Sequence, residues 1–484
     1  MDKKKCLFRN NLFKTAMILI MALLLCSCRR YEPAALDPDF DPSSVKETTA
    51  IDVSMDETLE ENDEENGDEL SDAADDLKTD EDDTRNPVKV KGIYLASKPL
   101  ANESFMSSFW DNMDNTELNA VVIDIKDDYG RITYDMHGVG MVDELGTVNA
   151  IIDDMPSLMK KFKEHGIYTI ARIVSMRDPY IGSVKPEWCL TNPDGTVYKD
   201  NSGYTWINPY KTEYWDYLLD IGKACAADGF DEIQFDYIRF CTDKGASDCV
   251  FDEAETNGRD KISIITEAVE YLSSNLKKEG VFVSCDVFGT IILSQVDSRS
   301  VGQDYPQLAL LADYMCPMIY PSHYSAGNFG LDMPDKHPYE AILGALKRSK
   351  IALGRAYVDG EKQALVRPWL QSFTASWLGS GNYIAYDAAA VRQEIQAVYD
   401  AGYDEWILWS ASVNYSYDGL LSPQEAQEES ERIAESRAAL PPEDTAVNEA
   451  ETFPSELQNA LEGDDLSEED KAVLEEDGPI ITYE

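Results

Sequence analysis

Residues 230–240 read FDEIQFDYIRF, and residues 232–238 within this stretch have the pattern of a buried parallel strand. Such strands are short apolar runs, rich in β-branched and aromatic residues, that precede a helix. Seven further runs share this pattern. They cover residues 90–96, 120–126, 168–174, 281–287, 314–320, 366–373 and 405–410. The eight runs together predict a parallel sheet whose strands are joined by helices.

Helical stretches lie between these runs, at residues 155–165, 213–228, 261–278, 339–348 and 388–401. Three of them stop close to the next strand at a glycine, namely Gly166, Gly229 and Gly402, as helix C-caps do. Eight strand–helix repeats predict an α/β fold, a single closed (β/α)8 TIM barrel. The alternative is an open doubly wound sheet, which usually has a Gly-rich phosphate turn after its first strand. Residues 93–99 (IYLASKP) contain no such turn.

The charge of the chain is concentrated at its two ends. The formal charge is −49, from 42 basic and 91 acidic residues. Residues 32–86 contain 22 acidic and 3 basic residues, and residues 424–484 contain 20 and 3. Acidic tracts with few aromatic residues stay solvated. We therefore predict an acidic disordered linker (29–87), one barrel domain (88–423) and an acidic, mostly disordered tail (424–484). The overall field excludes a nucleic-acid binder.

The N-terminus has the pattern of an export signal. A positively charged leader precedes residues 15–25 (TAMILIMALLL), a run too short to cross a bilayer as a helix. The sequence Leu25-Cys26-Ser27-Cys28 resembles a bacterial lipobox. It predicts a lipoprotein signal peptide over residues 1–28, lipidation of Cys28 and attachment to the extracellular face of the bacterial cell membrane. The alternatives are lipidation of Cys26 or a plain signal peptide cut nearby.

Acidic residues end neighbouring strands of the predicted barrel, where barrel enzymes keep their active sites. Strand alternation puts Asp124 on one face with Lys126, and Asp236 on one face with Gln234, while Asp286 follows on the fifth strand. In glycoside cleavage, one carboxyl group protonates the leaving oxygen. The other attacks the anomeric carbon or activates a water molecule. We therefore predict Asp236 and Asp286 as the catalytic pair.

Other charged and aromatic residues near the strand ends are predicted to bind sugar hydroxyls, to stack on sugar rings or to tune charge. They are Asp124, Lys126, Arg172, Gln234, Arg239, Tyr320, Trp369 and Trp409. Trp406 and Trp409 have opposite parity on the eighth strand, so one of them is expected to pack under a helix. A structural role remains the alternative for Asp236, in an ion pair with Arg239.

Several of these stretches resemble a known family. Residues 230–240, together with VKGIYLA, VIDIKDDYG, PMIYP and RPWLQSF, are similar to the bacterial putative glycosyl hydrolase domain family over roughly residues 91–421. The resemblance implies a (β/α)8 barrel that acts on glycosidic bonds. A more distant similarity is to the alpha-amylase clan, whose nucleophile is an Asp ending strand 4 and whose acid is a Glu ending strand 5. Asp236 matches the first position, Asp286 stands at the second, and Gln234 replaces an Arg of the clan. The resemblance implies Asp236 as nucleophile or base and Asp286 as general acid.

The remaining signals are consistent with hydrolase chemistry that needs no cofactor. The four histidines form no HxH or HExxH pattern, so no catalytic zinc is expected. Asp127 and Asp128 follow the second strand, where a solvated acidic loop is favoured over a Ca²⁺ site, so we predict no metal. Cys241 and Cys249 bracket TDKGASD and are candidates for a disulfide outside the cell. We predict a surface-anchored glycoside hydrolase whose partner is a carbohydrate, a cell-wall or exopolysaccharide-type glycan. The alternatives are a barrel that binds glycans without cleaving them and an envelope assembly protein that recruits partners through its acidic tails.

Overall fold

The structure is a computed structural model, and it describes residues 85–292, 294–357 and 362–439. The predicted signal peptide with Cys28, most of the predicted acidic linker, and residues 440–484 of the predicted tail lie outside the described residues. In the part of the chain that the structure describes, no helix combines the length and apolar character needed to cross a membrane.

The described residues form eleven strands. These are β1 (Lys91–Leu95), β2 (Ala120–Lys126), β3 (Ile132–Tyr134), β4 (Val148–Ile152), β5 (Tyr168–Val174), β6 (Glu232–Asp236), β7 (Phe282–Phe288), β8 (Tyr314–Met318), β9 (Leu365–Val366), β10 (Trp369–Gln371) and β11 (Trp406–Trp409). Thirteen α-helices accompany them in the same part of the chain. These are α1 (Ser97–Leu100), α2 (Glu103–Asn115), α3 (Gly140–Leu145), α4 (Met155–Glu164), α5 (Ile181–Val184), α6 (Glu213–Asp228), α7 (Glu253–Thr256), α8 (Lys261–Leu276), α9 (Gln295–Val301), α10 (Tyr305–Ala309), α11 (Pro338–Arg355), α12 (Ala388–Asp400) and α13 (Pro423–Ala438).

Eight of the strands close into a barrel. The order around it is β1, β2, β5, β6, β7, β8, β10 and β11, and β11 pairs again with β1. Every pairing in this ring is parallel. The predicted (β/α)8 barrel is therefore confirmed, and the open doubly wound sheet is wrong. β3 pairs antiparallel with the end of β2 and carries β4, so this pair extends the sheet beside the barrel.

The predicted glycine C-caps follow the helices that lead into barrel strands. Gly229 has φ 94°, and its N–H donates to the carbonyl oxygens of Cys225 and Ala226. A Cβ at this position would lie 2.6 Å from Nζ of Lys163, so both the backbone conformation and the close contact favour glycine. Gly166 and Gly402 also have positive φ angles, after α4 and α12. These caps end each helix just before the strand that follows it.

The seventh barrel strand is interrupted, in contrast to the continuous run predicted over residues 366–373. β9 pairs with the beginning of β8, and β10 pairs with the end of β8 and with β11. Between them lie Arg367 and Pro368, and Pro368 has no N–H for the ladder. The N–H of Arg367 still donates to the carbonyl oxygen of Met315, so the chain stays against β8 across the break.

The interruption places Arg367 in a buried ionic cluster at the end of the barrel where the strands begin. Its Nη1 lies 2.8 Å from Oε2 of Glu232, its Nε lies 2.8 Å from Oε2 of Glu405, and its guanidinium lies 3.7 Å from the ring centre of Tyr314. The side chains of Arg367 and Glu232 are fully buried. Charges can remain in such a place only when they are paired with good geometry.

Replacing Arg367 by Met is expected to lower the free energy of unfolding by about 3–5 kcal/mol, because Glu232 and Glu405 then remain buried without their cation. Urea denaturation at pH 7 measures this change. The control is Arg432→Met, which removes an ion pair between the exposed Arg432 and Glu429 on α13 and should change stability far less. Equal stabilities of the two variants would contradict the role given to the cluster.

The six cysteines of the described residues are all buried free thiols. Cys241 and Cys249, the predicted disulfide candidates, are not bridged in this structure. Instead, Sγ of Cys241 lies 3.7 Å from the hydroxyl of Tyr198, and burial raises the pKa of the Cys249 thiol to about 11. Thiols in such apolar surroundings are packing groups with little thiolate character.

Candidate active site

Asp236 and Asp286 occupy the carboxyl ends of two neighbouring barrel strands. β6 and β7 pair Gln234 with Ser284 and Phe235 with Cys285, and one residue further along each strand come the two acids. Both side chains point into the barrel, since Asp236 contacts Arg172 of β5 and Asp286 contacts Trp369 of β10. Asp236 is 6% and Asp286 2% exposed. The two carboxyl groups therefore lie at one level inside the mouth of the barrel.

Arg172 joins Asp236 to a third carboxyl group, that of Asp124 at the end of β2. Its Nε and Nη2 donate to Oδ2 of Asp236 over 3.0 and 2.5 Å, and its Nη1 donates to Oδ1 of Asp124 over 2.6 Å. Burial alone would lower the pKa of Arg172, but the charges of Asp236 and Asp124 raise it well above its usual range. The guanidinium is therefore a fixed positive charge that stabilises ionised Asp236.

Asp286 has a different environment. Its Oδ1 accepts a 2.6 Å hydrogen bond from the indole Nε1 of Trp369. Burial first, and the charge of Asp236 second, raise the pKa of Asp286 well above the usual range of a carboxyl group, although the indole bond opposes the shift. One acid is thus held next to a cation, and its neighbour is held in a site that favours protonation. Two carboxyl groups divided in this way can act as base or nucleophile and as proton donor.

An aromatic wall borders Asp124 and Arg172 on the other side of the mouth. The hydroxyl of Tyr94 donates to Oδ2 of Asp124, and the Tyr94 ring lies 4.3 Å from that of Trp409. Trp409 lies edge-on to Trp369 at 5.6 Å. Burial raises the pKa of Asp124 to about 6, against the lowering effect of Arg172. The wall therefore brings apolar ring surface next to the carboxyl groups, as sugar-binding sites require.

The chain turns sharply directly after Asp236. Tyr237 has φ 52°, an uncommon conformation for a residue with a side chain, and its N–H donates to Oδ1 of Asp236 over 2.6 Å. The carbonyl oxygens of Asp236 and Tyr237 accept from the N–H groups of Ser175 and Met176. These bonds hold a strained residue at the strand end and fix the carboxylate of Asp236. Backbone strain of this kind is found at functional sites.

Comparison with known families decides where the chain belongs. The model of a family described as "Putative glycosyl hydrolase domain" matches residues 92–415, which is most of the described chain. The protein belongs to this family. The resemblance seen in the sequence is therefore confirmed, and the match spans the whole barrel from β1 to the loop after β11.

Several solved structures are similar to this glycosyl hydrolase domain. A hypothetical protein from Ruminiclostridium thermocellum is 35% identical, with 40% of this chain and 97% of that chain covered and a TM-score of 0.37. The PgaB (BpsB) glycoside hydrolase domain from Bordetella bronchiseptica is 11% identical, with 67% and 94% covered and a TM-score of 0.46. TtGalA, an alpha-galactosidase from Thermus thermophilus, is 13% identical, with 72% and 66% covered and a TM-score of 0.42. No curated protein matches the chain.

Lys126 is not next to Asp124, contrary to the shared face predicted for them. The pairing of β2 with β5 shifts between these residues, and this bulge turns Lys126 outward. Its Nζ lies 2.8 Å from Oδ2 of Asp178 and donates to the carbonyl oxygen of Val174, and the ring of Tyr214 on α6 lies 5.8 Å away. Lys126 is therefore a fully buried structural cation outside the candidate site.

The other predicted binding residues of the glycosyl hydrolase domain lie at different depths. Gln234 is fully buried below Asp236, and its Nε2 contacts Sγ of Cys316. Arg239 does not pair with Asp236. It donates to the carbonyl oxygen of Phe240 and stacks 4.2 Å from the ring of Phe288. Tyr320 packs against His323 and Phe373 at the mouth. Trp406 packs under α12, as alternation with Trp409 predicts, and donates to the hydroxyl of Tyr399.

The sequence analysis gave no role in the site to Tyr94 and Arg177, two groups at the mouth. Tyr94 was seen only as part of a strand, although its parity on β1 could have placed it inside. Arg177 lies 3.5 Å from Asp128 and 3.2 Å from Asp200, in the long connection between β5 and α6. This connection has no hydrophobic period, so its sequence gives no signal of which residues return to the mouth. Asp128 also lies 3.6 Å from Arg172, which links this group to the carboxyl cluster.

Among the described residues, no group of three or more His, Cys, Asp or Glu side chains is arranged to hold a metal ion.

Proposed function

We propose that this domain hydrolyses glycosidic bonds of a cell-wall or exopolysaccharide-type glycan. Asp286 protonates the leaving oxygen, and Asp236 attacks the anomeric carbon or activates the water molecule that does. The observation that carries the proposal is the contrast between the two acids: Asp236 is bound to Arg172, whereas burial and the nearby charge raise the pKa of Asp286. A neutral carboxyl group beside an ionised one is the arrangement that acid–base cleavage of a sugar linkage needs.

The proposal includes the location of the enzyme. The lipobox at Cys28 supports attachment of the protein to the extracellular face of the bacterial membrane by lipid chains. In this proposal the acidic residues 32–84 link the lipid anchor to the barrel. This location gives the barrel access to glycans of the cell wall or of an extracellular matrix.

The wild-type protein and an Asp286→Asn variant are to be incubated with cell-wall and exopolysaccharide fractions, and the products measured by mass. We expect Asp286→Asn to lower kcat/KM on natural glycans by about 10²–10⁴-fold, because Asn cannot donate the proton. Aryl glycosides with an activated leaving group need little protonation, so their cleavage should fall much less. In the wild type, kcat/KM should fall as the pH rises through the raised pKa of Asp286, and this alkaline limb should be absent from the variant.

The control for this experiment is Asp114→Asn. Asp114 is an exposed residue at the end of α2, where the chain leads to the beginning of β2, and the same substitution there should leave activity unchanged. Equal losses on natural glycans and aryl glycosides would contradict the role of Asp286 as general acid. The anomer formed first, read by NMR, assigns Asp236 as nucleophile (retention) or base (inversion).

Glycan binding without cleavage is a second candidate function. It is favoured by the fact that both carboxylate oxygens of Asp236, and Oδ1 of Asp286, already accept hydrogen bonds from the protein. This function would be supported, in place of hydrolysis, if the protein bound one of the cell-wall or exopolysaccharide fractions and none of the fractions yielded cleavage products by mass.

A further inference from the structure

Two exposed aromatic side chains stand at the mouth of the barrel. Trp377 and Tyr129 are each 60% exposed, and with Tyr357 they are the most exposed aromatic residues among those the structure describes. Trp377 lies in the loop after β10, and Tyr129 lies in the turn after β2, so both follow the carboxyl ends of barrel strands. Single exposed rings are common on protein surfaces, so it is the position of these two at the mouth, and not their exposure alone, that points to a ligand.

Trp377 belongs to an aromatic row that leads to the acids. Its ring stacks on Phe373 with a centroid distance of 5.7 Å and an interplanar angle of 24°, and Phe373 in turn lies 5.7 Å from Tyr320. The same segment begins with Trp369, whose indole bonds to Asp286. Trp377 therefore lies eight residues after Trp369, which contacts the candidate acid Asp286, in a segment along one side of the mouth.

Buried hydrogen bonds hold this row in place. Nε2 of Gln371 donates to the carbonyl oxygen of Phe373 and to Oδ1 of Asp335, and Oε1 of Gln371 accepts from Ser322. The N–H of Gln371 donates to Glu394 of α12. Gln371, Asp335 and Glu394 are fully buried. The loop that carries Phe373 thus rests on a preorganised base, which lowers the entropic cost of ligand binding.

Tyr129 is held just as firmly on the other side. It sits in the tight turn of residues 127–131, where Oδ1 of Asp127 accepts from the N–H groups of Tyr129 and Arg131. Its ring lies edge-on to Tyr204 at 6.0 Å, and Tyr204 covers the guanidinium of Arg177 at 4.6 Å. The neighbouring Asp128 lies 3.6 Å from Arg172, the cation that binds Asp236. This turn is therefore connected to the other candidate acid.

The two rings lie on opposite sides of the mouth. β2 and β10 are separated by β1 and β11 in one direction around the ring, and by β5, β6, β7 and β8 in the other. A ligand that touches both rings must span part of the mouth of the barrel, into which Asp236 and Asp286 point. A chain of sugar rings is such a ligand, because each pyranose ring has an apolar C–H face that packs on an aromatic ring.

We propose that Trp377 with Phe373, and Tyr129 with Tyr204, are two outer sugar-binding platforms that hold a glycan chain across the barrel mouth. Because sugar rings are bound on both sides of the reacting linkage, the chain is cut at internal positions. This inference rests on the proposed function for the cleavage step, but the platforms themselves require only glycan binding.

The platforms are tested with labelled oligosaccharide ladders of two to eight units, of N-acetylglucosamine, glucosamine and galactose. Binding is measured in an Asp236→Asn background, which prevents turnover. Trp377→Ala and Tyr129→Ala are each expected to weaken binding of six- to eight-unit oligomers about tenfold, the loss of about 1.4 kcal/mol of ring packing. Binding of disaccharides should change less than about twofold. Trp377→Phe, which keeps a ring, should recover most of the loss.

The matched control is Tyr357→Ala. Tyr357 is 51% exposed and lies between α11 and β9. β9 pairs with the beginning of β8, so Tyr357 lies at the end of the barrel opposite the mouth. Its removal should leave all affinities unchanged. The platforms would be overturned by any of three results. These are an unchanged affinity for long oligomers in Trp377→Ala, an equal loss of affinity for short and long oligomers, or no binding of any ladder.

Cleavage assays with the wild-type protein, in which Asp236 is present, separate the proposed platforms from the proposed hydrolase function. Release of internal fragments of intermediate length from the long oligomers supports both. Cleavage with a rate independent of chain length overturns the platforms and leaves the hydrolase function standing. Binding that depends on chain length and on Trp377, with no cleavage, keeps the platforms and removes the hydrolase function.

Discussion

Replacing Asp236 by Asn is expected to lower kcat/KM for glycan cleavage by about 10⁴-fold or more and to leave the barrel folded. Asn has nearly the shape of Asp and can still accept hydrogen bonds from Arg172, so the local packing is kept. It has no negative charge, and it can serve neither as nucleophile nor as base. Product release by mass spectrometry, together with thermal unfolding of the same samples, measures both parts of the prediction.

Asp124→Asn is the matched control for this loss. Asp124 binds the same guanidinium as Asp236, yet it ends β2 and has the hydroxyl of Tyr94 as a second partner. Its replacement removes one negative charge from the same cluster without touching the end of β6, and we expect a much smaller fall in kcat/KM. Full activity of Asp236→Asn, or equal losses in both variants, would remove Asp236 from the reaction.

Most of the barrel could be predicted from the sequence, because a parallel strand buried on both faces has a recognisable composition. Six of the predicted runs contain one continuous strand each, the run at residues 281–287 covers β7 except for its last residue, and the run at residues 366–373 overlaps the two pieces β9 and β10. The weak point was visible as Pro368. What could not be predicted is that Arg367 turns into the barrel there, since its partners Glu232 and Glu405 come from distant strands.

The candidate site could be predicted only as far as strand parity holds. Alternation places Gln234 and Asp236 inside the barrel, and it fails after Asp124, where a bulge of one residue sends Lys126 to the other face. A bulge depends on the pairing with the neighbouring strand and leaves no mark in a short apolar run. The partner of Asp236 is Arg172 on the adjacent strand, whereas Arg239, close in sequence, points elsewhere.

Residue type alone does not divide the roles between the two acids. Asp236 and Asp286 are the same residue type at equivalent strand ends. Their difference comes from neighbours that only the closed barrel supplies: Arg172 beside one and the indole of Trp369 beside the other. Such environments, and not residue identity, decide which carboxyl group is protonated.

Arg172→Met is expected to lower the free energy of unfolding by about 3–5 kcal/mol at neutral pH, because it leaves the carboxyl groups of Asp236 and Asp124 buried without their cation. The loss should shrink as the pH falls. Burial already raises the pKa of Asp124 to about 6 in the presence of Arg172. Without the cation that opposes this shift, the folded variant should bind more protons than the unfolded chain between the ordinary pKa of Asp, about 4, and the raised pKa of the folded state, so its stability falls as the pH rises through this window.

Urea denaturation at pH 5 and pH 8 tests this sign, and Arg177→Met is the matched control. Arg177 also binds two carboxylates, those of Asp128 and Asp200, but its side chain is 15% exposed and that of Asp128 is 35% exposed, so water can replace part of the lost interaction. We expect a smaller loss with a weaker dependence on pH. If Arg172→Met were no less stable at pH 8 than at pH 5, relative to wild type, the buried charges of Asp236 and Asp124 would not be what Arg172 stabilises.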